Sequence, residues 1–85
     1  MVTVLLPSLL AEQAGGEKQF ELEAATVGAA LRALPVRDLL LDERDELRPL
    51  VNVYVDGTDA RQQDGLETEL SGGETIRVVA AIAGG

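Results

Sequence analysis

Residues 2–6 alternate as a strand does. Val2, Val4 and Leu6 share one face at period two, and Leu5 falls on the opposite face. Pro7 cannot donate to a sheet ladder, so the strand should stop there. Ala14-Gly15-Gly16-Glu17 reads as a turn, and residues 18–23 alternate again with Phe20 and Leu22 on one side. The two segments predict a hairpin with a long loop. A helical pattern follows. Thr26 is a suitable N-cap, and Val27, Ala30, Leu31 and Leu34 recur at helical spacing on one side. Gly28 costs roughly 1 kcal/mol against Ala in a helix interior. It either lets the helix approach the sheet closely or is simply tolerated near the N-terminus. Pro35 ends the helix, and residues 36–41 have room for one more short helical turn.

The clearest strand is residues 50–55, with Val51, Val53 and Val55 on one face and Asn52 and Tyr54 on the other. Asp56-Gly57 is a tight-turn signal, and residues 58–61 are expected to return as a short edge strand. Leu66 and Leu70 are candidate anchors for a loop. Ser71-Gly72-Gly73-Glu74 is a turn, and residues 75–80 form the last strand with Ile76, Val78 and Ala80 on one face. The order is strand, strand, helix, strand, short strand, strand. It predicts an α+β domain of the β-grasp, or ubiquitin-like, type: a mixed sheet of four to five strands with one main helix packed on one face. Residues 1–80 are expected to form this domain, and residues 81–85 a flexible C-terminal tail.

Composition narrows the chemistry. With 85 residues there is room for one domain, and 46% hydrophobic content argues against disorder. The chain has no Cys and no His. That removes a thiolate nucleophile, the usual general base, and structural zinc in its usual form. The expectation is a protein that is not an enzyme and holds no metal. A net charge of −8 repels phosphate backbones, so no nucleic-acid partner is expected. Residues 2–11 are mostly apolar but lack a basic leader and are interrupted by Pro7, and no apolar run nears the roughly 20 residues that span a bilayer. A soluble, cytoplasmic protein with no membrane association is expected. The mixed charge run at residues 42–46 lacks the Asp-x-Asp-x-Asp-Gly pattern of a calcium loop and reads as a solvated connector.

One segment carries chemistry. The sequence stops at Gly84-Gly85, directly after the last strand, and Ala81-Ile82-Ala83 lead into the glycines. Extended at about 3.3 Å per residue, these five residues project roughly 16 Å. Glycine has no side chain, so such a tail fits a narrow slot. Its terminal carboxylate is then a deliverable reactive group. A carboxylate acylates poorly, but conversion to an acyl-adenylate supplies a leaving group that a sulfur nucleophile can displace. This needs no nucleophile on the carrier itself. No bound cofactor is expected. ATP would be used by a partner, since Gly15-Gly16 and Gly72-Gly73 lack the Walker Lys-Ser/Thr context.

Val51-Asn52-Val53-Tyr54-Val55, Asp59-Ala60-Arg61, Gly65-Leu66-Glu67-Thr68, Leu70, Gly73-Glu74 and the tail 81–85 together resemble the ThiS/MoaD group of ubiquitin-like sulfur carriers, most closely its CysO type. The resemblance runs from end to end. It implies that Gly85 is adenylated by an E1-like adenylyltransferase and sulfurtransferase of the ThiF/MoeB/MoeZ kind and becomes a thiocarboxylate. It further implies that a downstream synthase takes the sulfur, for cysteine, thiamin, molybdopterin or a sulfur-containing natural product. Carriers of this type often have Pro before the tail, where this chain has Ala80.

Alternation also predicts a partner surface. If Val2, Val4 and Leu6 face the helix, then Leu5, Tyr54, Arg77 and Val79 lie on the open face of the sheet, and with Ala81, Ile82 and Ala83 they are the candidate partner-binding residues. Two other readings stand beside the carrier: a protein modifier conjugated to lysines through Gly85, and a β-grasp interaction domain whose tail is irrelevant.

Overall fold

The computed structural model describes residues 1–80. The expected tail, Ala81 to Gly85, lies outside the described residues. The first strand, β1 (Val2–Leu5), is followed by a helix, α1 (Ser8–Gln13), and by β2 (Gln19–Leu22). Two further short helices, α2 (Val27–Arg32) and α3 (Arg37–Leu40), precede β3 (Val51–Val55). The chain then forms β4 (Thr58–Asp59), two 3-10 turns at Ala60–Gln62 and Gly65–Glu67, and finally β5 (Thr75–Ala80). The five strands form one sheet in the order β2-β1-β5-β3-β4. β1 and β5 run parallel at its centre, and the other neighbours are antiparallel. This is the mixed β-grasp sheet expected from the order of elements.

The helical layer departs from the expectation of one main helix. α2 has only six residues, and α1 and α3 share the burial with it. The long loop expected between the first two strands contains α1, a helix the sequence pattern did not predict. Leu10, Ala11 and Ala14 are buried along one side of α1, and the Ala11 amide donates to the Pro7 carbonyl at 2.9 Å. Those three positions fit a helix period, but six residues between Pro7 and a double glycine are too few for the pattern to stand out. The edge strand also differs. β4 stops at Asp59, because the Asp59 carboxylate accepts the Arg61 amide at 2.8 Å and turns the chain into a 3-10 helix.

The core lies between the helices and one face of the sheet. Val2, Val4, Val51, Val53, Val55, Ile76 and Val78 cover the sheet side, and Val27, Ala30, Leu31 and Leu40 answer from the helices, with Leu34 from the turn between α2 and α3. Phe20, Leu22, Leu66 and Leu70 pack against this cluster while remaining partly exposed. Thr26 caps α2 as its position suggested, its hydroxyl accepting the Ala29 amide at 3.1 Å. Gly28 does make a close approach, but to the 3-10 turn rather than to the sheet. A Cβ placed on it would lie 3.1 Å from the Leu66 carbonyl oxygen and 3.2 Å from the Leu66 Cβ.

Candidate functional site

Register decides what the open face displays. In β1, Val2 and Val4 point into the core, so Thr3 and Leu5 point away from it. In β3, Val51, Val53 and Val55 point inward, leaving Asn52 and Tyr54 outward. In β5, Ile76 and Val78 point inward, leaving Arg77 and Val79 outward. Strand pairing then aligns these outward residues. Leu5 of β1 stands opposite Arg77 of β5, and Arg77 stands opposite Tyr54 of β3. The row extends to Gln19 on β2 and Asp59 on β4. One step further along β5, Val79 stands opposite Asn52. Leu5, Tyr54, Arg77 and Val79 therefore lie together on one surface.

This surface is partly apolar and open. Val79 is 40% exposed, Leu5 and Tyr54 are half-buried, and Arg77 is exposed. Between β1 and the end of β5 lies a shallow depression of about 190 Å³, lined by Leu5, Leu6, Pro7, Arg77, Val78, Val79 and Ala80. Ala80 is the last described residue of β5 and pairs with Val51, so this depression adjoins the point from which the sequence continues to residues 81–85. A larger groove of about 400 Å³ lies at the other pole, beside Met1, Glu23, Leu70 and Gly72. Because β1 and β5 are parallel, that pole is at the opposite end of β5 from Ala80.

Two residues of this surface were not singled out from the sequence as site residues. The Arg61 guanidinium donates to the Asn52 side-chain oxygen and, at 2.9 Å, to the Arg48 carbonyl. It thereby straps the 3-10 turn to β3 and holds Asn52 in place beside Val79. Alternation placed Asn52 on this face, but nothing local shows that Arg61 reaches back to it. That link exists only because Asp59 turns the chain.

The turn that starts β5 is equally specified. The Glu74 carboxylate accepts the Ser71 and Gly72 amides, each at 2.8 Å, and the Ser71 hydroxyl at 3.1 Å. The hydrogen bond from the Ser71 amide, with the Gly72 and hydroxyl bonds behind it, holds the Glu74 carboxyl below its ordinary pKa. At the β3–β4 hairpin, Asp56 and Gly57 both take positive φ, 49° and 89°, as a tight hairpin requires. The Asp56 carboxylate also accepts the Thr75 amide at 2.9 Å, tying this hairpin to β5. These bonds set where β5 begins and so which of its residues reach the open face.

The mixed charge run behaves as a folded connector. The Asp42 carboxylate accepts the Glu46 and Arg44 amides, and the Glu46 bond lowers its pKa most. Asp45 pairs with Arg32 and Arg37. No group of three or more His, Cys, Asp or Glu residues able to hold a metal ion occurs among the described residues. No helix among them is long and apolar enough to cross a membrane.

The sheet order, with parallel β1 and β5 and a helical layer on one face only, defines a β-grasp protein of the ubiquitin-like class. More specifically, the chain belongs to the ThiS family, whose model matches residues 4–85. It is 32% identical over 91 residues to the sulfur carrier protein CysO of Mycobacterium tuberculosis, covering 99% of this chain and 98% of that protein. Among solved structures it is similar to a chain of the Amycolatopsis orientalis BexX/CysO complex, with a TM-score of 0.84, 35% identity and full coverage of both chains. It is also similar to small archaeal modifier protein 1 of Methanosarcina acetivorans, with a TM-score of 0.83 and 26% identity, covering 99% of this chain and 95% of that one.

Proposed function

We propose that this chain is a sulfur carrier that works through the carboxylate of Gly85. The observation that carries the reading is an end-to-end match: the family model extends through residue 85, and the CysO relative is covered almost completely. The chemistry proceeds in two steps on a partner. The Gly85 carboxylate attacks the α-phosphorus of ATP, pyrophosphate leaves, and an acyl-adenylate results. A sulfur nucleophile then adds to the acyl carbon, AMP leaves, and a thiocarboxylate remains. Both steps belong to an E1-like activating enzyme, because the carrier contains neither Cys nor His and its tail serves as a bound substrate. On a synthase the thiocarboxylate sulfur then bonds to an electrophilic carbon of the acceptor, whose leaving group departs, and water cleaves the acyl–sulfur bond, so that the sulfur stays on the product and the Gly85 carboxylate is regenerated. Similarity to a chain of the BexX/CysO complex supports a synthase as the second partner. The reactions take place in the cytoplasm, and the carrier itself binds no cofactor.

Each part of the chain has a share in this cycle. Gly84 and Gly85 let the backbone enter a slot too narrow for side chains. Ala81, Ile82 and Ala83 bridge the slot and the domain. Leu5, Tyr54, Arg77 and Val79 form the surface that docks on the partner and brings the tail to its entrance.

The test is intact mass after incubation with an activating enzyme, ATP and a sulfide source. The expected result is a shift equal to one oxygen replaced by sulfur, abolished when Gly85 is deleted. No shift with several competent activating enzymes would refute the carrier reading. Similarity to an archaeal modifier protein supports a second reading, conjugation of Gly85 to lysines. Slower-migrating conjugates on a gel, in place of the sulfur shift, are its signature.

A further inference from the structure

The open face of this sheet carries a cation that makes no ion pair among the described residues. The chain has 15 acidic residues against 7 basic ones. Even so, Arg77 makes no salt bridge and no side-chain hydrogen bond among the described residues, where the ion pairs are Met1–Glu23, Arg32–Asp45 and Arg37–Asp45. Arg77 sits on β5, the central strand of the five, and is exposed. Register sets Leu5 on one side of it and Tyr54 on the other. The acid nearest along that row is Asp59, beyond Tyr54, and its carboxylate already accepts the Arg61 amide.

The other arginine on this surface is differently occupied. Arg61 spends its guanidinium on the Asn52 side chain and the Arg48 carbonyl. A guanidinium has a limited set of donors in a fixed fork, and both terminal nitrogens of Arg61 already donate within the chain. Arg77 keeps its fork free of the described residues, framed by an aliphatic and an aromatic side chain. Such a setting excludes water once covered, and there a charge-assisted pair with a carboxylate gains strength.

We propose that the docking partner presents a carboxylate side chain to Arg77, set between Leu5 and Tyr54, and that Arg61 is structural rather than recognised. This rests on the carrier reading, in which the activating enzyme docks on the open face. The inference names the chemistry of that contact: an acidic residue within an otherwise apolar patch of the enzyme. The surrounding acidity of the carrier sharpens the choice. A displaced or rotated docking pose would set the partner's carboxylate against the carrier's own acids, so the cation at position 77 fixes the pose.

The experiment is a binding titration of the full chain with the activating enzyme, alongside thiocarboxylate formation followed by intact mass. Arg77→Glu is expected to raise Kd by about 10- to 100-fold, the range for losing a charge-assisted hydrogen bond. Arg77→Ala should lie between parent and Arg77→Glu, and Arg77→Lys should retain part of the affinity. At saturating enzyme the mass shift should still form, because the tail is unchanged. Arg44→Glu makes the same change in net charge on the connector and should leave Kd within about twofold of the parent. Arg61→Ala should lower the melting temperature more than the affinity. Parent-like binding by Arg77→Glu, with the parent converted normally, overturns this inference alone. A parent chain that binds but never gains sulfur defeats the carrier reading instead, and the Arg77 titration still decides the contact.

Discussion

Replacing Gly28 with Ala sets two effects of known sign against each other. Helix propensity favours Ala over Gly by at most about 1 kcal/mol. Packing opposes it. The new Cβ would stand 3.1 Å from the Leu66 carbonyl oxygen, 3.2 Å from the Leu66 Cβ and 3.2 Å from the Arg32 guanidinium. Ordinary carbon contacts begin near about 3.5 Å, so each neighbour must withdraw by roughly 0.3 Å. The Arg32 end can swing away at the cost of its pairing with Asp45. The Leu66 backbone is less free. The turn that holds it is fastened to the start of α2 by the Val27 amide donating to the Thr68 carbonyl at 3.0 Å, and by the Leu70 amide donating to the Ala25 carbonyl at 2.8 Å. Overpacking of this kind costs about 1–3 kcal/mol, which exceeds the propensity gain. The expected net effect is destabilisation by about 1 kcal/mol, a fall in Tm of about 4–8 °C for a domain this small. Thermal unfolding followed by circular dichroism measures it. A Gly28→Ala variant as stable as the parent, or more so, would show that the Leu66 turn yields and that the glycine is merely tolerated.

Two further outcomes follow from the open face and from the turns. Tyr54→Ala and Val79→Asp should each weaken binding to the activating enzyme by at least about fivefold while shifting Tm little, since both side chains lie outside the core. Unchanged affinity in both, measured by titration, removes the docking role of this face. Glu74 and Asp42 both have pKa values lowered by backbone amides that donate to them, the Ser71 amide for Glu74 and the Glu46 amide for Asp42. A carboxyl whose folded pKa lies below its unfolded one stabilises the fold above the unfolded value, and that contribution disappears as pH falls through the folded value. Stability should therefore be flat near neutrality and decline below about pH 5. Glu74→Gln should make the decline shallower, and an identical acid profile for this variant would deny Glu74 its part.

Much of the site was legible because a strand has period two. Val51, Val53 and Val55 had to share a face, so Tyr54 had to leave it, and the same parity placed Leu5, Arg77 and Val79 outward. Punctuation was legible for a similar reason. Thr26 and Ser71-Gly72-Gly73-Glu74 act through bonds to residues two or three positions away, and Asp56-Gly57 through its own backbone angles, so their effect is written locally.

Parity says which face a residue takes but not which residues become neighbours. That Leu5, Arg77 and Tyr54 form one row depends on β1 and β5 pairing in parallel across almost the whole chain. Such pairing is settled by burial of the whole core rather than by any local signal. The helical layer was decided in the same way. Six residues from Ser8 form a helix because Leu10, Ala11 and Ala14 find the core, and their own propensity is too small to hold a segment of that length. Gly28 is explained by Leu66, and Asn52 is held by Arg61, through contacts that span far more chain than a turn. The sequence alone determined which residues face outward. The tertiary structure decided which outward residues stand together, because strand register and side-chain reach are properties of the packed whole.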